Sequence, residues 1–340
     1  MPLRVGLVGF GLGGAIFHAP LIDSLPAFEL TAIVTSNPER RAQAQRSYPN
    51  TALLGTADEL WKRAGDLDLA IIASPNRAHV PQALAALDAG LAVVVDKPLA
   101  TNAQEARMLI AQAERRRRPL TVFHNRRWDG DFLTVRKLMA EESLGDVWRL
   151  ESRFERWRPA PRAGWREAGD PEDGGGLLLD LGSHLIDQAL TLFGPARRVR
   201  GELKRRRPDV LVDDDAFVAL EHENGVVSHL WMSSVAAQPG PRFRVLGSRA
   251  AYVKFGMDVQ EEALRSGARP DHDGWGEDAP ERWGTLGAGE QLTRVPTERG
   301  AYQEFYVRLA AALTSNAALP VDPVDAVRTL TIVDTIRTML

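Results

Sequence analysis

Short apolar runs alternate with amphipathic stretches over about the first 120 residues of the chain. The runs are rich in branched residues and are bounded by turn residues, which predicts strands. They lie at residues 3–9, 29–35, 67–73, 91–95 and 119–123. The stretches between them predict helices. We therefore expect an α/β domain over residues 1–122, with a doubly wound parallel sheet that carries helices on both faces.

Residues at the predicted helix ends agree with this interpretation. Asn37 stands at an N-cap position and Pro38 in the first turn that follows it. Gly90 follows a helical stretch, as a C-terminal glycine does. Thr101 and Gln104 have the spacing of a capping box, so we expect Thr101 to begin the next helix.

The pattern changes after about residue 145. Four segments, "DVWRLESRFERW", "DAFVALEHE", "GVVSHLWMSSV" and "RFRVLGSRAAYVKF", predict strands with short connections. A helix is predicted at 177–193, and two more near 301–315 and 323–338. We expect residues 123–340 to form an α+β domain with an open, mostly antiparallel sheet.

Composition and charge restrict the class of protein. The 340 residues are 44% hydrophobic and 26% charged, with a net charge of −3, which is typical of a soluble two-domain protein. This charge favours neither nucleic acid nor an anionic membrane as a partner. The absence of cysteine excludes disulfides and thiolate catalysis. Without a long apolar run or a signal peptide, we expect a cytoplasmic protein.

A glycine-rich segment follows the first predicted strand. In "VGFGLGGA", Gly9, Gly11 and Gly14 have G-x-G-x-x-G spacing, and the segment opens a helix. This context is typical of dinucleotide binding, with Gly9 in the tight turn, Gly11 against the pyrophosphate and Gly14 between helix and strand. Leu12 lies within the same loop and is included in the predicted cofactor site.

The end of the second predicted strand bears on the choice of nucleotide. An acidic residue there commonly binds the ribose hydroxyl of NAD, but "VTSNPERR" has no carboxylate before Glu39. Ser36 could bond a 2′-phosphate, and Arg40 or Arg41 could neutralise it. Alternatively, both arginines are solvated and Asn37 is only an N-cap. We favour NADP and keep NAD as the second possibility.

The carboxyl ends of parallel strands collect ligand-binding residues. Lys97 follows a buried valine run in "VVVDKPLA" and is expected at this edge, although a lysine there can also be a solvated strand end. The other residues expected at this edge are Ser74, Pro75, Asn76 and His124. The predicted cofactor site includes, besides the glycine loop and the residues after the second strand, Ser74, Pro75, Asn76, His79, Asp96 and Lys97.

An acid and a histidine share an apolar stretch in "LLLDLGSHLIDQ". Asp180 and His184 are four residues apart, so they lie on one face of a helix. Histidine titrates near neutral pH and suits proton transfer. The pair alone is equally compatible with a structural role. Asp180 and His184 could also form, with His124, the metal site of a hydrolase or isomerase. That interpretation does not explain the glycine loop.

Taken together, these segments resemble the Gfo/Idh/MocA oxidoreductases over essentially the whole chain. The resemblance is carried by the glycine loop, "ASPNRAHVPQALAALDAG", "VVVDKPLA", "FHNRRW" and "LLDLGSHLIDQ". It implies a Rossmann domain, and a second domain for substrate binding and dimerisation. It also implies hydride transfer between a nicotinamide and a hydroxyl-bearing carbon of a sugar or a cyclitol such as scyllo-inositol. We expect a homodimer or a dimer of dimers.

The resemblance also assigns roles to residues. The family's "EKP" lysine matches Lys97, and its Asp and His match Asp180 and His184, while Asp96 replaces the family's Glu. It implies that His184 takes the hydroxyl proton, Lys97 bonds the same oxygen and Asp180 tunes His184 or holds a neighbouring hydroxyl. Whether Lys97 or His184 is the formal acid and base stays open.

Polar residues outside the cofactor site are expected to bind the substrate. The polar side chains expected at the substrate are His124, Asn125, Arg166, Asp180 and His184, and no metal is expected. The alternative function is a catalytically silent NADP-binding sensor on the same fold.

Overall fold

The computed structural model describes residues 1–161 and 174–339. The chain forms two compact units, each built on one sheet. The first comprises Met1–Asn125, Gln260–Trp275 and Ala301–Val327, and the second comprises Arg126–Val259, Gly276–Gly300 and Arg328–Leu340. Two later segments therefore group with the N-terminal residues. The division into domains at residue 122 stays a prediction.

A six-stranded parallel sheet forms the first unit, as the alternating pattern predicted. Its strands are β1 (Leu3–Val8), β2 (Phe28–Val34), β3 (Ala52–Leu54), β4 (Leu69–Ile72), β5 (Ala92–Asp96) and β6 (Leu120–Phe123). The strand order is β3-β2-β1-β4-β5-β6. Every residue of β4 is buried, which explains its uninterrupted apolar sequence, because helices cover both faces of such a sheet.

The described α-helices connect these strands and extend into the second unit. They are α1 (Ala19–Asp23), α2 (Pro38–Ser47), α3 (Ala57–Trp61), α4 (His79–Asp88), α5 (Ala103–Arg116), α6 (Gly130–Ala140), α7 (Ser183–Phe193), α8 (Gln260–Arg265), α9 (Gln303–Ser315) and α10 (Pro323–Thr338). Two π-helical segments, Gly13–His18 and Leu178–Gly182, precede α1 and α7. None of the described helices is long and apolar enough to span a membrane.

Two of the three predicted helix ends are confirmed. The Asn37 side chain accepts a hydrogen bond from the N–H of the third residue of α2, and Gly90 follows α4 with φ of +86°. The predicted capping box was wrong by one residue. Asn102 is the N-cap of α5 and accepts from Glu105 N, while the Glu105 carboxylate accepts from the backbone and hydroxyl of Thr101. Asparagine ranks above threonine at N-caps, which accounts for the shift.

An eight-stranded sheet forms the second unit. Its strands are β7 (Val147–Glu155), β8 (Ala196–Lys204), β9 (Asp215–His222), β10 (Val227–Ser233), β11 (Phe243–Gly247), β12 (Ala251–Lys254), β13 (Gly284–Ala288) and β14 (Gln291–Val295). The order is β14-β13-β12-β11-β7-β10-β9-β8, and among the strands that the structure describes only β7 and β10 pair in parallel. The predicted mostly antiparallel sheet is therefore confirmed.

The two faces of this sheet differ. Buried residues such as Val218, Leu220, Leu230 and Met232 alternate along β9 and β10, and α7 packs against β7 and β10. The intervening residues are partly exposed on the opposite face. This is the period-2 pattern of a sheet with one covered face.

Candidate active site

The glycine loop between β1 and the following helix is closely packed. Gly9 has φ of +99°, and a Cβ there would lie 2.6 Å from Ala73 O. A Cβ at Gly14 would lie 2.0 Å from Gly9 O. At Gly11, by contrast, the nearest group is the Arg40 guanidinium at 3.5 Å. Gly9 and Gly14 thus shape the turn, and Gly11 keeps an open Cα that a pyrophosphate can approach, so the loop fits a dinucleotide.

A fourth glycine matters that the motif spacing did not identify. A Cβ at Gly13 would lie 2.5 Å from Asp96 Oδ2. The other oxygen, Asp96 Oδ1, accepts a 2.8 Å hydrogen bond from Lys97 N. Asp96 therefore packs closely against Gly13 of the glycine-rich helix and also bonds the backbone of Lys97. The only local signal for this was the pair of adjacent glycines, Gly13 and Gly14.

The Asp96 carboxylate also lies near a buried histidine. His18 Nε2 is 3.8 Å from Asp96 Oδ2, and its Nδ1 is 2.5 Å from Tyr306 Oη. Burial alone would raise the pKa of Asp96. The nearby His18 and Lys97 lower it by more than burial raises it, so the pKa of Asp96 lies below the usual value. Asp96 is thus an ionised group at neutral pH, which favours its contact with the Lys97 N–H.

The residues after β2 have separate roles. Ser36, Asn37 and Arg40 are exposed, and Asn37 Oδ1 accepts a 2.9 Å bond from Arg40 N. Arg41 donates to Leu53 O at 2.9 Å, which ties it to β3. Of the two arginines considered for a 2′-phosphate, Arg40 lies beside Gly11 of the glycine loop, whereas Arg41 is bound to β3.

The loops after β4 and β5 are joined at the carboxyl edge of the sheet. His79, at the start of α4, places Nδ1 2.8 Å from Pro98 O and Nε2 2.9 Å from Ser74 O. The Ser74 hydroxyl donates to Gln82 Oε1 at 2.6 Å. The structure thus brings together the cofactor residues predicted in these loops: Ser74, Pro75, Asn76, His79, Asp96 and Lys97.

In the second unit, a half-buried acid, Asp213, anchors the segment that carries Asp180. Leu178 N donates to Asp213 Oδ2 at 2.7 Å, and a Cβ at Gly176 would lie 2.2 Å from Asp213 Oδ1. Gly176 has φ of +94°. Burial raises the pKa of Asp213, and the backbone N–H of Leu178 opposes that rise. Asp213 was missed from the sequence because it lies 35 residues from its partner.

Asp180 and His184 lie in different kinds of helix. Asp180 is in the π-helical turn Leu178–Gly182, whereas His184 is the second residue of α7. The sequence predicted one continuous α-helix here. His184 is 5% exposed and Asp180 is partly exposed.

Residues near the start of the second unit and just before β11 also fix α7 through Asp187 and Gln188. Arg127 binds Asp187 through two hydrogen bonds of 2.8 and 2.6 Å, and the Gln188 amide donates to Arg126 O at 2.7 Å. Gln188 Oε1 in turn accepts from Arg242. The "HNRRW" arginines therefore hold the helix that carries His184. This role was not predicted for them.

The predicted substrate residues are distributed over the chain. His124 and Asn125 are the last residues of the first segment of the first unit and are buried. Asp180 and His184 belong to the second unit, and Lys97 belongs to the first. Arg166 lies outside the described residues. Over residues 1–161 and 174–339, no group of three His, Asp or Glu side chains could hold a metal ion.

Comparison with known proteins agrees with the motifs. Residues 3–124 match the model of the oxidoreductase family with an NAD-binding Rossmann fold, and residues 132–253 match the GFO/IDH/MocA C-terminal domain. The chain is 34% identical to scyllo-inositol 2-dehydrogenase (NADP(+)) IolW of Bacillus subtilis, over 98% of this chain and 92% of that protein. It is 39% identical to the uncharacterised oxidoreductase YdgJ of Escherichia coli, over 98% and 94%.

A solved structure shares the whole architecture. The structure of the candidate oxidoreductase yvaA of Bacillus subtilis superposes with a TM-score of 0.92 at 33% identity, and covers 99% of this chain and 96% of that one. The expected family and fold class are therefore both confirmed.

Proposed function

We propose that the protein transfers hydride between NADP and a hydroxyl-bearing carbon of a cyclitol or sugar. The premise is that the chain belongs to the Gfo/Idh/MocA family of oxidoreductases. The observation that carries this proposal is the placement of Lys97. It stands at the carboxyl edge of the parallel sheet, and its N–H donates to Asp96, which packs against Gly13 of the glycine loop. Ligands of such sheets bind at this edge.

The surroundings of Gly11 support NADP as the cofactor. The Arg40 guanidinium lies beside Gly11, and Ser36 is exposed at the end of β2 with no carboxylate before Glu39. A guanidinium recognises phosphate oxygens by paired charge-assisted bonds, whereas the ribose hydroxyl of NAD is commonly held by a carboxylate.

Titration of the protein with NADPH and with NADH, followed by nicotinamide fluorescence, tests this choice. Arg40→Ala should weaken NADPH binding and leave NADH binding unchanged. Arg41→Ala is the matched control, because Arg41 is bound to Leu53 O, and it should affect NADPH less. Ser36→Asp should reverse the preference. A wild-type protein that binds NADH more tightly would contradict the assignment.

Each residue has a defined part in the proposed reaction. A nicotinamide cofactor held by the glycine loop would supply the hydride acceptor for oxidation and the hydride donor for reduction. His184 takes the proton of the substrate hydroxyl, and Lys97 donates a hydrogen bond to the same oxygen and stabilises its developing charge. Asp180 orients or charge-stabilises His184. In the reverse direction His184 returns the proton to the carbonyl oxygen.

The cyclitol or sugar substrate is proposed from the relatives. IolW bears the name scyllo-inositol 2-dehydrogenase, and D-glucoside 3-dehydrogenase of Escherichia coli is 27% identical over 68% of this chain. A panel of inositols, inososes and aldoses, assayed by nicotinamide absorbance with each cofactor, tests the substrate class. Tight NADPH binding without turnover of any member would favour a cofactor-binding sensor instead.

We also propose that the protein is a homodimer, or a dimer of dimers. The partly exposed face of the second sheet carries an aromatic cluster, in which the Phe217 and Trp231 rings lie 5.1 Å apart and the Arg153 guanidinium lies 4.0 Å from the centre of the Trp231 ring. Clustered aromatic and arginine side chains are typical of interfaces. Light scattering at micromolar concentration should give twice or four times the chain mass. A monomer mass would contradict the proposal.

A further inference from the structure

His222 is a buried histidine whose two ring contacts differ in chemistry. Its Nδ1 lies 2.8 Å from Gly194 O, and its Nε2 lies 2.8 Å from the Ser228 hydroxyl. A hydroxyl can donate as well as accept, so a neutral ring with its proton on Nδ1 satisfies both contacts. This arrangement explains why His222 can be fully buried without a charge.

His79 is equally buried but faces two carbonyl oxygens, Pro98 O at 2.8 Å and Ser74 O at 2.9 Å. A carbonyl only accepts, so a neutral ring with one N–H can donate to only one of them. Burial lowers the pKa of His79 against the opposing effect of the two carbonyls and Asp96, which makes the ring neutral near pH 7. The position of one proton therefore decides which loop is held.

The two carbonyls differ in what else supports them. Pro98 is buried, and a buried carbonyl that lacks a hydrogen-bond donor destabilises the folded protein. Ser74 is only half-buried, and its hydroxyl already ties this loop to Gln82 of α4. The tautomer with its proton on Nδ1, which donates to Pro98 O, is therefore more stable than the tautomer with its proton on Nε2. An Nδ1–H bond to a backbone carbonyl is a common way to fix a histidine tautomer.

We propose that His79 is a positioning residue whose Nδ1–H holds the Pro98 carbonyl and thereby fixes the place of Lys97. The Nε2 lone pair then faces Ser74 O with no proton between them, so the loop 74–76 is the one left to adjust. Lys97 is held on one side by Asp96, through its own N–H, and on the other by His79, through the next residue. The proposal rests on the role proposed above for Lys97.

Two substitutions separate the two contacts. In His79→Asn the amide nitrogen is attached to Cγ, as Nδ1 is, and can still reach Pro98 O. In His79→Gln it lies one bond further out, near the position of Nε2, and serves Ser74 O. His79→Gln should lower kcat by about 10–10²-fold, the scale of a misplaced catalytic group, with KM for NADP close to wild type. His79→Asn should restore most of that loss.

Two controls show whether the effect passes through Lys97. His222→Asn removes a buried histidine from the other unit and should leave kcat unchanged. In a Lys97→Met background, His79→Gln should lower kcat little further, because the group that it positions is gone. The proposal is overturned if Asn loses as much kcat as Gln, if Gln keeps normal kcat, or if the Gln effect persists without Lys97.

The tautomer can be read without any substrate. Nitrogen-15 NMR of the wild-type protein, labelled at histidine and assigned by comparison with His79→Asn, should show a protonated Nδ1 and an unprotonated Nε2 for His79. The opposite tautomer would overturn the proposal. A wild-type protein that oxidises no polyol would instead contradict the proposed function and would leave the tautomer result to stand separately.

Discussion

Lys97 follows three buried valines, Val93, Val94 and Val95. This sequence context alone does not show whether Lys97 only ends the strand or is a catalytic group. A lysine that only closes the strand could be replaced by methionine at a cost of about 0.5 kcal/mol or less. If Lys97 bonds the reacting oxygen, Lys97→Met should lower turnover by about 10²–10³-fold. NADPH affinity should persist, because we propose that the glycine loop, and not Lys97, holds the phosphates. Steady-state turnover measured beside NADPH titration decides between the two.

The partnership of Lys97 and His184 can be checked in the same assay. His184→Ala should also lower turnover sharply. If both groups act on one oxygen, the double variant should lose less than the product of the two single losses. Near-normal turnover for Lys97→Met on a verified substrate would contradict the mechanism.

Gly14 gives a prediction about the cofactor loop. In Gly14→Ala the added Cβ would meet Gly9 O at 2.0 Å, so the turn must open. We expect NADPH affinity to fall by at least tenfold, which corresponds to about 1.4 kcal/mol. Gly65→Ala is the matched control, because nothing lies within 4 Å of its Cβ position. Unchanged NADPH affinity in Gly14→Ala would show that this contact does not shape the loop.

At the scale of elements, the Arg127–Asp187 pair determines how firmly α7 is held. The two side chains are only 14% and 3% exposed. Removing one partner of a buried pair leaves the other charge uncompensated, which costs about 3–5 kcal/mol. Asp187→Asn should therefore lower the melting temperature clearly. Glu298→Gln breaks the exposed pair with Lys137 and, at about 0–1 kcal/mol, should change it little. Equal shifts would contradict this account.

The elements that could be predicted from the sequence are those whose burial is uniform. The strands β4 and β5 lie between two layers of helices, and their apolar runs are therefore unbroken. The edge strand β3 has three half-buried residues, and β14 is almost entirely exposed. Neither has an apolar pattern that would distinguish it from a loop, so both were missed.

The same distinction holds for the candidate site. Gly9, Gly11 and Gly14 could be found because their spacing, with a strand before them and a helix after them, is visible in the sequence, although Gly9 packs against the distant Ala73. Asp213 and the contact between Gly13 and Asp96 could not, because each depends on residues brought together from distant segments. Local spacing identified the groups expected to carry chemistry, whereas tertiary structure shows what holds them in place.

At the scale of the whole molecule, distant segments complete the first unit. Arg269 binds Asp23 at 2.6 Å, and Tyr306 contacts His18 across 288 residues of sequence. The aromatic ring of Tyr306 also packs against Phe28 and Phe123. The core of this unit thus contains rings from both ends of the chain, a feature that the alternating pattern of residues 1–122 did not predict.

Two buried histidines make the stability of the molecule depend on pH. Burial lowers the pKa of both His79 and His222 below the ordinary value of 6.5. Below pH 6.5 the unfolded chain therefore binds protons that the folded chain does not yet accept, and stability falls as the pH drops. Above pH 6.5 both states hold neutral rings, and this contribution is fully present. The two histidines should therefore contribute a decrease in melting temperature between pH 7.5 and pH 5.5.

Substitution of His222 isolates one part of this effect. His222→Asn keeps an amide donor for Gly194 O but has no group that titrates in this range, so its melting temperature should fall less between pH 7.5 and pH 5.5 than that of the wild type. Exposed His272 offers the matched control, and His272→Asn should retain the full wild-type dependence. Differential scanning calorimetry of the three proteins at both pH values provides the comparison. A fall in His222→Asn as large as that in wild type would show that the buried ring does not contribute.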